Sequence, residues 1–183
     1  AQWTPATYTY TFKLDGGNID GDIDDVLLSG EYNTDSSTPK IPTKEHYTFT
    51  GWSPTVPSTY EGNNTYTAQW TPVGYTITYK LSGGTYNGKT DDVIREVTYN
   101  TKPEDITPTR EHYTFNGWDK DIGVATEDTT YTAQWKPVTY TYTFKLDGGN
   151  IDGDTDDVSL SGEYNTDSST PKIPTKEHYT FTG

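Results

Sequence analysis

The sequence predicts a mainly β protein made of small four-stranded modules in tandem, each with at most a short helical turn, forming an elongated array. Three observations predict this fold class. Sixteen Tyr residues and abundant Thr are typical of strands. Apolar and polar residues alternate in short segments. Finally, a long segment recurs with a period of about 66 residues.

The repeat is most visible in three copies of Ala-Gln-Trp, which end at Trp3, Trp70 and Trp135. Residues 7–51 and 139–183 are identical at 43 of 45 positions. The repeat predicts the following segments: the tail of a preceding module (1–5), a first module (6–72), a second module (73–137) and a truncated third module (138–183). We therefore expect the chain to be a piece of a longer array.

The first strand of each module is predicted by strict alternation. From Tyr8 to Leu14, every second residue is apolar, and Thr or Lys stands between. Because successive side chains of a strand point to opposite faces, this segment has one buried and one solvated face. Asp15-Gly16-Gly17 then predicts a turn.

The second strand places Val26, Leu28 and Gly30 on its inner face. Leu27 is expected to face solvent, because the third copy has Ser159 at this position and a Leu-to-Ser exchange is tolerated best at an exposed site. The other difference between these copies, Ile23 against Thr155, falls in the turn.

The remaining half of a module is predicted to hold two more strands. Residues 33–43 contain two prolines and predict a turn; in the second module, residues 102–106 predict a possible single helical turn that begins at Pro103. The third strand is predicted over 46–52 with a bulge at Gly51, and the fourth over 65–70.

Charge and composition exclude several classes of partner. The net charge of −14 argues against nucleic acid, which needs a surface of Lys and Arg. No apolar run is long enough for a membrane helix, so no membrane insertion is expected. The linker 71–74 is too short to be a free tether, so neighbouring repeat modules are expected to contact each other.

The acidic turn of the first module is the one candidate metal site. Oxygen-bearing side chains at near-alternate positions resemble a calcium loop, and they are Asp15, Asn18, Asp20, Asp22 and Asp24. The second module loses most of these ligands and adds Lys89. A solvated acidic hairpin is therefore the favoured interpretation, with no metal, no cofactor and no catalytic residue assigned.

Two further candidates carry less weight. His46, His112 and His178 begin the third strand of their modules and are interpreted as surface or strand-edge residues, because one His per module cannot form a zinc site. Lys13 and Asn33 recur in every module and could form an isopeptide bond, but Lys13 is predicted to point away from the aromatic face.

The combination of Pro-Thr-x-Glu-His-Tyr-Thr-Phe-x-Gly-Trp with a later Thr-Tyr-Thr-Ala-Gln-Trp resembles the Listeria–Bacteroides repeat (internalin B repeat) family of bacterial surface proteins. The resemblance covers essentially the whole chain. It implies a β-grasp-like module and no catalytic residues. One departure is the His at 46, 112 and 178, where the family more often has Gly.

Together these features predict a non-enzymatic spacer or stalk of a secreted, adhesin-like protein in the bacterial cell wall or on the cell surface. Each module would add about 25–35 Å of length, from strands of about seven residues. The alternative is a repeat that binds a host protein or a cell-wall glycan. The truncated third module also predicts end-to-end self-association, with Ala1–Trp3 as the strand that completes it.

Overall fold

The structure is a computed structural model that describes residues 1–183, and it contains strands and turns but no helix. The ten strands are β1 (Thr7–Lys13), β2 (Val26–Glu31), β3 (Tyr47–Ser53), β4 (Asn64–Pro72), β5 (Gly74–Lys80), β6 (Val93–Thr98), β7 (Tyr113–Trp118), β8 (Thr129–Pro137), β9 (Thr139–Phe144) and β10 (Val158–Glu163). No helix that is long and apolar enough to cross a membrane is present.

The strands form two four-stranded sheets, in the orders β2-β1-β4-β3 and β6-β5-β8-β7, and a two-stranded sheet of β9 and β10. In the first sheet the central pair β1 and β4 is parallel, and the outer strands pair antiparallel with it. The mainly β architecture with repeated four-stranded sheets is therefore confirmed.

The chain divides into two compact units. The first consists of Ala1–Ile77, Arg95–Pro103 and Gly123–Thr129, and the second of Thr78–Ile94, Glu104–Ile122 and Thr130–Gly183. The first unit holds the complete first sheet, and the second holds β7 and the β9–β10 hairpin. This division does not follow the repeat period, so the module boundaries proposed from the sequence stay predictions.

The core of the first sheet is made of aromatic rings. The Phe12 and Tyr66 rings stack at 5.2 Å, and Tyr10 packs against Tyr60 at 4.6 Å. All four side chains are almost completely buried. Aromatic pairs of this kind stabilise the fold beyond the contribution of their buried area alone. This explains how a short, Thr-rich sequence forms a stable core.

The strand faces follow the predicted alternation. Tyr10, Phe12 and Leu14 are buried, and Leu27 is 63% exposed. The predicted bulge is also present, because the register of β3 against β4 shifts between Phe49 and Gly51.

The possible helical turn over residues 102–106 does not form. This segment is irregular, with Pro103 and Ile106 buried. The hydroxyl of Tyr79 donates a hydrogen bond to the carbonyl oxygen of Glu104. Burial of these apolar side chains thus takes precedence over the local helix-start signal at Pro103.

Candidate functional site

The residues with the most distinctive geometry lie where one repeat passes into the next. His46 precedes β3 with a positive φ of 64°. Its Nδ1 lies 2.7 Å from the hydroxyl of Tyr75, and its ring stacks on Tyr99 at a centroid distance of 4.2 Å. The adjacent Tyr47 meets Tyr99 edge to face at 5.6 Å. One histidine thus holds two tyrosines that belong to the following repeat.

Backbone hydrogen bonds reinforce this contact. The N–H of Val73 donates to the carbonyl oxygen of His46 at 3.0 Å, and the N–H of Tyr99 donates to the carbonyl oxygen of Val73 at 2.8 Å. Because Val73 both donates and accepts a backbone hydrogen bond, the connection between β4 and β5 is held in place at this residue.

The same arrangement recurs one repeat later. His112 Nδ1 lies 2.8 Å from the hydroxyl of Tyr140, and the His112 ring stacks on Tyr164 at 4.2 Å. Val138 N–H donates to the His112 carbonyl oxygen, and Tyr164 N–H donates to the Val138 carbonyl oxygen. We call each such set of contacts a His–Tyr junction. Its repetition indicates a structural feature that belongs to the repeat.

The sequence predicted only a surface or strand-edge role for these histidines. The backbone at these histidines is left-handed, with φ of 64°, 63° and 65° at His46, His112 and His178. Glycine adopts this region without strain, which agrees with the Gly that the resemblance implies more often at this position; the contacts of the His46 and His112 side chains offset the strain in this chain. A sequence signal for the junction did exist, because Tyr75 and Tyr140 follow their histidines at nearly constant spacing.

A second repeated feature is a slot that holds a tryptophan. The indole Nε1 of Trp70 donates to the carbonyl oxygen of Leu14 at 3.2 Å, and the indole lies over Gly17. A Cβ at Gly17 would come within 2.4 Å of Trp70 Cζ2. We call this arrangement of leucine carbonyl and glycine the Trp slot.

The second repeat has the same slot. Trp135 Nε1 donates to the Leu81 carbonyl oxygen at 3.1 Å, and a Cβ at Gly84 would lie 2.4 Å from Trp135 Cζ2. The Trp70 and Trp135 rings also pack edge to face on Phe49 and Phe115, both at 5.5 Å. The Ala-Gln-Trp strand thereby closes each complete repeat.

Several of the candidate calcium ligands of the acidic turn already have hydrogen-bond or ion-pair partners within the protein. Asn18 Oδ1 accepts a hydrogen bond from Gly21 N–H at 3.2 Å. Asp20 forms an exposed ion pair with Lys40 at 2.6 Å, and this hydrogen bond raises the pKa of the Lys40 ammonium.

The remaining carboxylates of the turn do not converge. Asp22 Oδ1 accepts from Asp24 N–H at 3.0 Å, and Asp15 lies at a positive φ of 49° in the Gly-Gly turn. No group of three or more His, Asp or Glu side chains that could hold a metal ion occurs in the chain. The interpretation of this turn as a solvated acidic hairpin, favoured over a calcium site, stays a prediction.

Lys13 and Asn33 lie at opposite ends of the β1–β2 pair. Thr7 is opposite Glu31 in this antiparallel register, so Asn33 follows the end of β2 beside the start of β1. Lys13 ends β1, six residues further on, about 20 Å away at about 3.3 Å per residue. An isopeptide bond between these two side chains is therefore excluded in this fold.

The third-repeat counterpart of Lys13 has a different partner. Lys145 Nζ lies 2.6 Å from Asp157 Oδ2, and Asp157 Oδ1 also accepts the N–H of Leu146. The hydrogen bond from Lys145, followed by that from the backbone, holds the pKa of the Asp157 carboxyl below its ordinary value. These contacts join the segment that follows β9 to Asp157, which directly precedes β10.

Comparison with known proteins identifies one matching family. The family model described as Listeria-Bacteroides repeat domain matches residues 8–72, 75–139 and 140–183.

Two relatives illustrate where such repeats occur. A "Putative Gly-rich membrane protein" of Evansella cellulosilytica is 26% identical over 202 aligned residues, which cover 99% of this chain and 22% of that protein. Internalin H of Listeria monocytogenes is 33% identical over 125 residues, which cover 62% of this chain and 21% of that protein. The chain thus spans less than a quarter of the length of either relative.

Proposed function

Because the chain belongs to the Listeria-Bacteroides repeat domain family, we propose that it is a non-enzymatic spacer in a surface-associated bacterial repeat protein. Its role is geometric: it sets the distance between the cell envelope and another part of the same protein. The observation that carries the proposal is the recurrence of the His–Tyr junction at His46 and His112 with nearly identical distances.

A spacer holds another part of the protein at a defined distance only if its successive repeats do not reorient freely relative to each other. Each junction combines a stacked His–Tyr pair, a side-chain hydrogen bond and two backbone hydrogen bonds. Repeats that contact only their neighbours in this way are typical of quasi-one-dimensional proteins. The junction therefore supports a stiff array.

The alternative function, binding of a host protein or a cell-wall glycan, has less support. A glycan-binding repeat that acts by stacking is expected to show exposed aromatic rings that recur in every repeat. The rings of Tyr66 and Tyr131 are buried in their sheets, and those of Tyr75 and Tyr99 contact His46. The recurring aromatic residues thus serve mainly core and junction.

Small-angle X-ray scattering of the 183-residue chain tests the proposed shape. Three modules of about 25–35 Å each predict a rod with a radius of gyration above about 22 Å, whereas a compact globule of this length has about 16 Å. A dilution series extrapolated to zero concentration removes any contribution of association. A radius of gyration near that of the globule would reject the spacer.

The location proposed for the protein, outside the cell in the wall or on the surface, rests on its family and on the names of its relatives. Antibodies raised against the 183-residue chain should label intact cells of the bacterium that produces it. A protein of the cytoplasm labelled in parallel shows whether the cells are intact. Labelling that occurs only after lysis would contradict this location.

A further inference from the structure

One side-chain contact of the first repeat joins its two hairpins, β1–β2 and β3–β4. Tyr60 lies in the connection between β3 and β4, and its buried ring approaches Gly30 of β2 so closely that a Cβ on Gly30 would come within 2.2 Å of ring atom Cε2. The ring also packs on Tyr10 of β1 at a centroid distance of 4.6 Å. The Tyr10 hydroxyl donates to the carbonyl oxygen of Thr59 at 2.8 Å and accepts the N–H of Glu61 at 3.3 Å. The ring of Tyr60 thus occupies space that exists only because residue 30 has no side chain.

The second repeat has a small side chain at the place of Tyr60. Ala125 is the counterpart, because the N–H of Asn100 donates to its carbonyl oxygen at 2.8 Å, as the N–H of Asn33 donates to that of Tyr60. Ala125 is also buried, so this position belongs to the core in both repeats. Because protein cores are closely packed, a ring in one repeat and a methyl group in the other require different neighbours.

The facing strands differ in the opposite sense. β6 has Val97 at the place of Gly30 in β2, and β5 has the buried Ile77 at the place of Tyr10 in β1. Val97 therefore has the Cβ that the ring of Tyr60 excludes in the first repeat. The hairpin of the third repeat has the residues of the first type, Tyr142 and Gly162. Neighbouring repeats thus differ in core type.

We propose that these residues form a matched pair in each repeat, Gly30 with Tyr60 and Val97 with Ala125, by which each hairpin selects the partner hairpin of its own repeat. The interaction surface is the inner face of β2 at Gly30, and its partner is the hairpin that carries Tyr60. The two hairpins meet through the parallel strands β1 and β4, and β8 repeats the Tyr-Thr-Ala-Gln-Trp of β4. Strands this similar compete for the same partner, and wrong assembly is a characteristic failure of repeat proteins.

Each wrong pairing is disfavoured for its own physical reason. Hairpin β5–β6 placed on hairpin β3–β4 would bring the Cβ of Val97 into the ring of Tyr60, which is an overpacked contact. Hairpin β1–β2 placed on hairpin β7–β8 would set Ala125 over Gly30 and leave a cavity in the core. The inference does not rest on the proposed spacer function, because any array of similar repeats must avoid such exchanges.

Disulfide bonds can report which strand β1 pairs with, since the chain has no Cys of its own. Thr11 of β1 lies opposite Thr65 of β4, and Thr130 is the counterpart of Thr65 in β8. Each of the three lies beside a buried aromatic residue and so points away from the core. In a chain with Thr11→Cys, Thr65→Cys and Thr130→Cys, a bond between positions 11 and 65 marks native pairing, and a bond between positions 11 and 130 marks pairing with the wrong repeat.

The three-cysteine chain is unfolded in urea, refolded in a glutathione redox buffer and digested, and mass spectrometry gives the ratio of the 11–65 bond to the 11–130 bond. Because the loop to position 65 is less than half as long as the loop to position 130, chain entropy alone gives a ratio of about three in urea. In the refolded chain the ratio should be at least about tenfold higher. Gly30→Val should lower the refolded ratio by about tenfold or more, because the new side chain meets the ring of Tyr60 but suits Ala125.

A second variant and a matched control keep the test independent of any loss of folding. Adding Tyr60→Ala to Gly30→Val recreates the pair of the second repeat, so this double variant should keep the circular dichroism spectrum of the three-cysteine chain. Its ratio should exceed that of Gly30→Val yet stay below that of the three-cysteine chain, because both partner hairpins now accept its β2. Leu27→Ser changes an exposed residue of the same strand, for which the third repeat has Ser159, and should leave the ratio unchanged.

The order of the ratios decides the proposal. The expected order is the three-cysteine chain, then the double variant, then Gly30→Val. An unchanged ratio in Gly30→Val would overturn the proposal, and so would a double variant that equals the three-cysteine chain or does not exceed Gly30→Val. A decrease with Leu27→Ser as large as that with Gly30→Val would overturn it as well.

Discussion

Gly17 shows how the absence of one side chain shapes a repeat. Trp70 could not donate its indole N–H to the Leu14 carbonyl oxygen if residue 17 carried a Cβ, because that atom would lie 2.4 Å from the ring. Gly17 does not have a positive φ. The glycine is therefore needed for close approach, while its neighbour Gly16, with φ of 78°, is needed for the turn.

We predict that Gly17→Ala lowers the free energy of unfolding of the first sheet by about 1–3 kcal/mol, the usual cost of overpacking. Urea denaturation followed by Trp fluorescence measures this change. Gly62→Ala is the control, because Gly62 lies in the same repeat, has open space around it and has no positive φ. Its free energy of unfolding should stay within about 0.5 kcal/mol of the parent value. Equal midpoints for the two variants would contradict the proposed role of the slot.

At the scale of the element, β1 and β2 show how alternation assigns a residue to the core or to solvent. Phe12 is fully buried opposite Val26, while Leu27, opposite Thr11, is 63% exposed. The two apolar side chains differ in environment because neighbouring residues of a strand point to opposite faces. The Ser at position 159 of the third repeat is explained by this exposure.

We predict that Phe12→Ala costs about 3–5 kcal/mol of unfolding free energy, since it leaves a cavity between Tyr66 and Trp52. Leu27→Ser should change the free energy by less than about 0.5 kcal/mol. Both values come from chemical denaturation of the same chain. A large loss with Leu27→Ser would show that this strand face is not the solvated one.

At the scale of the whole molecule, the His–Tyr junctions are local contacts that recur between successive repeats, at His46 and again at His112. Val73 N–H and Tyr99 N–H are bonded across the first junction. Their protection from solvent exchange reports the free energy of opening this junction. The third histidine, His178, shares the backbone conformation but not the contacts.

We predict that His46→Gly speeds hydrogen exchange at Val73 and Tyr99, because it removes a side-chain hydrogen bond and a stacked ring pair worth about 1–3 kcal/mol together. Hydrogen-exchange NMR of dilute protein measures the rates. His178→Gly carries the same backbone change at φ of 65° and should leave those rates unchanged. If both variants leave the rates unchanged, the histidine does not hold the junction.

The sequence alone determined the features that depend on neighbouring residues. The alternation from Tyr8 to Leu14 specifies a strand and its buried face, Gly51 specifies the bulge, and the repeat specifies that the architecture recurs. These predictions succeeded because the period of two is a property of the local backbone. The helical turn predicted at Pro103 does not form, because a local start signal is weaker than the burial of Pro103 and Ile106.

Only the tertiary structure decided which distant residues meet. His46 finds Tyr75 29 positions away, and Trp70 reaches the Leu14 carbonyl oxygen across 56 positions. Such contacts depend on strand order, and the parallel pairing of β1 with β4 sets this order. No local pattern in the sequence encodes this pairing. The sequence therefore predicts only a surface role for His46 and a turn for Gly17, and the fold shows that His46 contacts Tyr75 and that Gly17 contacts Trp70.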